Sequence, residues 1–328
     1  MRRRPTVVLP HARRRLGAHP PPRHPAGAPH DAHRPAVPAL HRGRRRRPPE
    51  VGRVTVAGRA PGDWGAYVAL GDSRAAAPTW LSLLRRADGR SGRGYPHELA
   101  ALLRPALFED RSCVGATTEN LHRRGQVRYQ GLRRVVLPPQ ADALSVETDL
   151  VTLSIGGNDI RWHSLIGGAF SHRPGAAARF RSDTDRARRI DAALTGLGAH
   201  LAVALADVRG RAPDATVLLV GHGGYYPLPD ADVPLCAASG SELALHTAAE
   251  FFEALEDVYR TACDRTGVTF VSVLDITRGH DGAAPRSERW FEGDSLVSLT
   301  PPRHPTALGS AALAAHLAAT LAPEAVRP

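Results

Sequence analysis

The sequence predicts an α/β fold, a parallel β-sheet covered by helices on both faces. From about Val54 onward, strand-like and helix-like segments alternate, and such alternation builds parallel βαβ units with right-handed crossovers. Two aliphatic runs, Tyr67–Leu70 and Asp149–Ile155, also end abruptly at glycine. Strands that stop this way hand a loop to the carboxyl edge of a parallel sheet, where such folds open their crevices.

The elements follow in order. Tyr67-Val68-Ala69-Leu70 reads as a short buried strand that delivers Ser73 from the turn Gly71-Asp72-Ser73. Pro96–Leu103 has helical spacing, and Ala106–Cys113 reads as a second short strand before the small-residue turn Val114–Thr118. Asp149–Ile155 is the clearest buried strand and ends in Gly156-Gly157-Asn158-Asp159. Ile190, Leu194, Leu197, Leu201, Leu205 and Val208 make one apolar stripe of a long helix ending near Gly210. Ala215–Val220 is a further strand. Ser239 and Glu242 have capping-box spacing for a helix continued by Phe252, Leu255 and Tyr259. Val268–Val273 closes the strand series, and a last helix runs from about Pro305 to Leu321, with Pro305 suited to a first helical position.

Charge divides the 328-residue chain in two. It contains no lysine, so all 43 of its Lys and Arg residues are arginines. This removes P-loop, Schiff-base and Ser-Lys chemistry. The 13 arginines of residues 1–50 face only Asp31 and Glu50, so that stretch accounts for the whole formal charge of +11 and the remainder is neutral. Residues 1–59 form an Arg-, Pro- and His-rich leader without apolar periodicity, expected to be disordered, and residues 60–328 are expected to form the folded domain that carries the chemistry. Nucleic acid or an anionic surface is expected as a partner only through that leader. Its six histidines lack the regular spacing of a metal site, and Val7-Val8-Leu9, ended by Pro10, falls short of a secretory apolar stretch. No run of about 18 apolar residues points to a membrane-spanning helix. Cys113, Cys236 and Cys263 cannot form a closed disulfide set, since at least one must stay free.

Four short stretches carry chemistry: Gly71-Asp72-Ser73, Gly115, Gly157-Asn158-Asp159 and His304-Pro305-Thr306. Ester hydrolysis needs a nucleophile, a base that takes and returns its proton, and donors where the oxyanion forms. Ser73 and His304 fit the first two roles. The backbone N–H groups of Ser73 and Gly115 and the side-chain amide of Asn158 fit the third. A glycine lets backbone approach the substrate without a Cβ in the way, and asparagine donates without adding charge.

These stretches resemble the GDSL or SGNH hydrolases, named for a Ser, a Gly, an Asn and a His, and most of all their actinobacterial lipase and esterase branch. The resemblance rests on YVALGDS (Tyr67–Ser73), YP-x-x-LA (Tyr95–Ala100), SC-x-GATT (Ser112–Thr118), TDLVTLSIGGND (Thr148–Asp159) and HPT-x-x-G (His304–Gly309). It implies a flavodoxin-like three-layer α/β/α sandwich with a parallel sheet of about five strands. It also implies hydrolysis of small-molecule or lipid esters through an acyl-enzyme on Ser73, without metal or cofactor, by a monomer that relatives commonly export.

Three departures qualify the likeness. The aspartate that stands three residues before the histidine in much of the family is Pro301 here. A Ser-His dyad is therefore expected, with the Pro301 carbonyl or one beside it holding His304 and Asp294 as the alternative carboxylate. The cysteine that pairs with the Cys113 position in secreted relatives is Gly89, so Cys113 is expected to lack its partner. Arg74 follows the nucleophile where tyrosine is common, which is expected to put charge at the mouth of the acyl pocket. These departures leave a second reading open, a catalytically impaired binding protein that keeps the SGNH fold.

Overall fold

Among the described residues, seven strands form in chain order: β1 (Ala66–Gly71), β2 (Leu107–Asp110), β3 (Gln126–Gln130), β4 (Arg133–Leu137), β5 (Thr148–Ser154), β6 (Thr216–Val220) and β7 (Thr269–Val271). Five of them make one parallel sheet in the order β2-β1-β5-β6-β7. The structure is a computed structural model that describes residues 62–170, 173–227, 242–294 and 297–322. The expected leader, Ser239 and Cys236 lie outside the described residues.

The strand order places the topological switch between β1 and β5. From β1 the chain steps outward to β2 on one side, and then returns to build β5, β6 and β7 on the other. Adjacent connections leave in opposite directions there, and a crevice opens beyond the strand ends. The central strands are apolar on both faces, with Val68, Leu70, Leu153, Val217 and Leu219 buried on one and Tyr67, Ala69, Leu150 and Leu218 on the other, as expected where helices cover both sides of a parallel sheet.

The helices are α1 (Ser73–Ala76), α2 (Trp80–Arg85), α3 (Tyr95–Leu103), α4 (Thr118–His122), α5 (Gly157–Ile160), α6 (Trp162–Ile166), α7 (Ala176–Ser182), α8 (Thr184–Arg211), α9 (Glu242–Thr266) and α10 (Ala307–Leu321). They cover the sheet in two groups, α10 against α3, and α8 against α9 and α4. The result is the three-layer α/β/α sandwich. Asp183 caps α8 by accepting from the Arg186 N–H, and the stripe Leu194, Leu197, Leu201, Leu205 and Val208 is buried as its spacing required. An 18-residue stretch of α8 reaches a mean hydropathy of 1.3, enough for a bilayer span by composition. That stripe instead faces the core of the domain.

The structure corrects three readings. The last helix starts at Ala307, because Thr306 is its cap and accepts from the Gly309 N–H. Pro305 lies outside it, paired in a β-bridge with Phe291. The last strand is only Thr269–Val271, since beyond it Ser272 and the Val273 N–H turn to the buried carboxylate of Glu256. The third is the antiparallel hairpin β3–β4, which the sequence reading did not include. Gly131, with φ +60°, takes the first position of its two-residue turn, a geometry open to glycine at little cost.

Gln140 follows that hairpin and fastens the end of β1. Its Oε1 accepts from the Gly71 N–H at 2.7 Å and its Nε2 donates to the Gly71 carbonyl at 2.9 Å. The carbonyl also accepts from the Cys113 N–H, whereas the amide is taken up by the Gln140 side chain. Gln140→Leu orphans a buried donor and is expected to cost about 1–3 kcal/mol. A urea titration checks this, and an unchanged midpoint would contradict the clamp.

Candidate active site

Ser73 sits where β1 has to stop. Gly71 holds φ +140°, and a Cβ on it would come within 2.5 Å of the Ser154 carbonyl oxygen at the end of β5. The Asp72 N–H donates to that same oxygen at 2.9 Å. The two strand ends are thus joined backbone to backbone. Asp72 caps the short α1, its carboxylate accepting from the Arg74 N–H at 2.9 Å. Ser73 is the first residue of that turn and half-buried, so its own N–H has no acceptor within the helix.

Asn158 belongs to the turn after β5, which leaves the strand through Gly156 at φ +111°. Its Nδ2 donates to the Ala116 carbonyl at 2.9 Å and, over a longer 3.4 Å, to the other oxygen of Asp72. One asparagine amide therefore touches the residue before Ser73 and the residue after Gly115. Gly115 is exposed with φ +78°, and the amides on either side of it are committed, Val114 to the Asp88 carbonyl and Ala116 to the Cys113 carbonyl. Asp159 points away from Ser73 and accepts from the Thr118 N–H and hydroxyl, tying α5 to α4.

His304 arrives on the segment before α10. The Glu292 N–H donates to the His304 carbonyl and the Arg303 N–H to the Glu292 carbonyl, so residues 291–292 and 303–305 run as a small ladder. Arg303 stands at φ +62°, a left-handed conformation that costs a non-glycine residue on the order of 1 kcal/mol. Imidazole Nδ1 lies 2.8 Å from the Pro302 carbonyl oxygen. A carbonyl only accepts, so Nδ1 carries the proton and Nε2 is left with its lone pair. Asp294 is engaged elsewhere, its carboxylate 2.8 Å from the Arg303 guanidinium. The ladder reaches the Ser73 turn through Phe291, whose ring lies 4.6 Å beneath the Arg74 guanidinium.

Arg74 corrects a further expectation. Its side chain is 1% exposed and turns into the protein, away from the pocket mouth, donating from Nη1 to the Gly223 carbonyl and the Tyr225 hydroxyl. It binds the loop after β6 to the Ser73 turn. Cys113 and Cys263 are buried free thiols, and burial pushes the Cys113 thiol up to about 11.

His222, at the carboxyl end of β6, is a site residue that the sequence reading missed. Its buried ring lies directly over Gly157, where a Cβ would meet Nε2 at 2.5 Å, and beside the Trp162 indole. Burial, with the Arg74 and His304 charges, holds its pKa well below the ordinary histidine value. Its position just past a strand end was the available signal. Trp162 stacks on Tyr225 at 4.9 Å between ring centroids, and Tyr225 meets Phe291 at 5.1 Å. This aromatic cluster runs from α6 to the His304 ladder.

The sheet order and the residues gathered at its carboxyl edge define the class, an SGNH/GDSL-type α/β hydrolase. The chain belongs to the GDSL-like lipase/acylhydrolase family, whose pattern matches residues 69–312, and is a carboxylic ester hydrolase. It is similar to Lipase 2 of Streptomyces coelicolor, 34% identical over 270 residues that cover 76% of this chain and 83% of the relative. Lipase 1 of the same organism is 26% identical over 261 residues, covering 79% and 87%. Among solved structures, the fold is similar to phospholipase A1 from Streptomyces albidoflavus, with a TM-score of 0.60 at 23% identity, covering 78% of this chain and 99% of that one. An extracellular lipase from Streptomyces rimosus superposes with a TM-score of 0.59 at 24% identity, with the same coverage.

Burial raises the Asp72 carboxyl from 3.8 to about 7, against the opposing pull of the Arg74 N–H and charge. A raised native pKa means that the folded state holds the proton more tightly than the unfolded one. The stability this gives is complete below the unfolded value and is lost as pH rises through about 7. Asp72→Asn should therefore gain on the native chain by several degrees in Tm between pH 3.8 and about 7, with the difference levelling off above. Parallel Tm curves over that range would contradict it.

Proposed function

We propose that the chain hydrolyses lipid esters by a Ser-His dyad. Ser73 Oγ attacks the ester carbonyl carbon while its proton passes to His304 Nε2. The tetrahedral oxyanion is held by the Ser73 and Gly115 N–H groups and by Asn158 Nδ2, which gives up its long bond to Asp72. His304 then returns the proton to the leaving alkoxide, and the alcohol departs from an acylated Ser73. Water, deprotonated by His304, attacks the acyl carbon, and collapse restores the Ser73 hydroxyl and releases the carboxylic acid.

The observation that carries this reading is the convergence at the β1/β5 switch, where Asn158 touches both Asp72 and Ala116. The Pro302 carbonyl supports the dyad by fixing the imidazole tautomer without a carboxylate. Lipid esters are favoured by the likeness to proteins named as lipases and, in one solved structure, a phospholipase A1.

Ser73→Ala is expected to lower kcat on a soluble p-nitrophenyl ester by about 10³-fold or more, and Asn158→Ala by about 10²–10³-fold with a smaller change in KM. Retained turnover in the first variant would remove Ser73 from the mechanism. Burial lowers the His304 pKa below 6.5, partly offset by the Pro302 carbonyl. The base form therefore persists on acidification, and the acid limb of kcat/KM should have its midpoint below that value. A midpoint above it would assign the limb to another group.

A further inference from the structure

Strand β3 of the hairpin is built inside out, whereas β4 turns Val135 and Leu137 inward in the ordinary way. Alternate residues of β3 face the body of the protein, and these are the polar ones. Gln126 Nε2 donates to the Val114 carbonyl at 2.9 Å, Arg128 Nε to the Ala87 carbonyl at 3.0 Å and Gln130 Nε2 to the Arg85 carbonyl at 2.6 Å. The intervening Val127 and Tyr129 face solvent, Tyr129 with 62% exposure, and Val136, paired with Val127 across the hairpin, is exposed as well. Leu132 at the tip is fully exposed. A half-buried sheet ordinarily turns its apolar face inward and its polar face to water.

The apolar surface continues beyond the hairpin. The bonds from Arg128 and Gln130 fasten it to the end of α2, on which Trp80, Leu81 and Leu84 are exposed, Leu84 by 75%. At the other end of α2 the Trp80 N–H donates to the carbonyl of Leu299, itself 84% exposed and five residues before His304. The hairpin also borders Gly115, where a Cβ would lie 3.7 Å from Gln126 Nε2 and 3.8 Å from Arg128. Exposed apolar side chains thus lie on β3–β4, on α2 and at Leu299, elements bonded to one another beside Gly115. Exposed apolar side chains grouped on adjoining elements mark an interaction site.

Charge identifies what it meets. Between Glu119 and Asp142 there is no acidic residue, while Arg123, Arg124, Arg128, Arg133 and Arg134 fall in that interval. Arg133 and Arg134 are exposed beside the apolar tip. Such a surface matches a medium with anionic headgroups above hydrocarbon. A nucleic acid supplies the phosphates but no apolar phase for Leu132 and Leu84, and a second copy would bring the same positive charge to itself.

We infer that β3–β4 and α2 form a docking face for an anionic phospholipid bilayer, which seats the crevice of Ser73 against the lipid surface. The inference rests on the reading of the crevice as a lipid-ester site and adds where the substrate phase is met. The full chain carrying Ser73→Ala, which separates binding from turnover, is sedimented with phosphatidylcholine vesicles with and without phosphatidylglycerol. Binding is expected to be about tenfold or more tighter to the anionic vesicles and to weaken with salt.

Adding Leu84→Asp, Tyr129→Asp and Leu132→Asp is expected to weaken that binding about tenfold or more. In the Ser73 background, the same three changes should leave hydrolysis of a water-soluble short ester unchanged. Arg133→Gln with Arg134→Gln, a milder surface change, is expected to remove most of the preference for anionic vesicles. Because every variant keeps the arginine-rich leader, the differences report on this face alone. Undiminished vesicle binding by both variants would overturn the inference. So would equally tight binding to soluble polyphosphate, or a parent chain that self-associates through this face and loses that association in the triple variant. Absent hydrolysis of the soluble ester by the unaltered chain would count instead against the catalytic reading, leaving the vesicle result to stand.

Discussion

The site depends on how closely two strand ends are pressed together. Where β1 meets β5, the Gly71 α-carbon faces the Ser154 carbonyl with no room for a Cβ, and that carbonyl also accepts the Asp72 N–H. Gln140 grips Gly71 from outside the sheet. The turn bearing Ser73 and the turn bearing Asn158 are therefore one rigid unit, and the asparagine amide can bridge to Asp72. Gly94 makes a similar allowance behind Ser73, since a Cβ there would lie 2.0 Å from the Ala75 carbonyl. Any side chain at either position would push α1 from its seat.

Beneath this seam the protein buries polar groups that a core seldom accepts. Arg74 lies under the Ser73 turn between Phe291 and Tyr225, and Asp72, His222 and Glu256 are buried with it. Burying a guanidinium is costly unless its donors are used. Here that cost is met only in part: Nη1 serves both the Gly223 carbonyl and the Tyr225 hydroxyl and the rings take the cation's face, whereas Nε and Nη2 are buried without a hydrogen-bond partner among the described residues. In exchange, the loop after β6, the Ser73 turn and the His304 ladder share one contact. Burial favours the neutral forms of His222, His304 and Asp72 around this seam and leaves Arg74 as its buried cation.

Much of this was legible in the sequence because it is written in side chains and periodicity. Leu70 followed by Gly71, and Ile155 followed by paired glycines, fix strand ends by sterics, and the stripe Leu194–Val208 fixes a helix face. What stayed hidden depends on backbone or on direction. The acceptor for His304 is a main-chain carbonyl, which no residue type announces, and only the structure distinguishes Pro302 from Pro301. Arg74 was legible as a charge next to Ser73 but not as one that turns inward, since Gly223 and Tyr225 are remote in sequence. Gln140 is a lone amide with no pattern around it. Strand β3 reverses the usual sense of alternation, so its polar residues suggested a loop. Pro305 fitted a helix start by type, yet the Thr306 hydroxyl satisfies the first free amides and sets the boundary.

The central claim is that Ser73 is activated by an imidazole held only by backbone. Its most direct test is a fluorophosphonate probe followed by peptide mapping, applied to the native chain and to His304→Ala. A single phosphonyl adduct on Ser73 in the native protein, with labelling slowed by orders of magnitude in the folded variant, is the predicted result. An adduct on another serine, or equal labelling of both proteins, would contradict it.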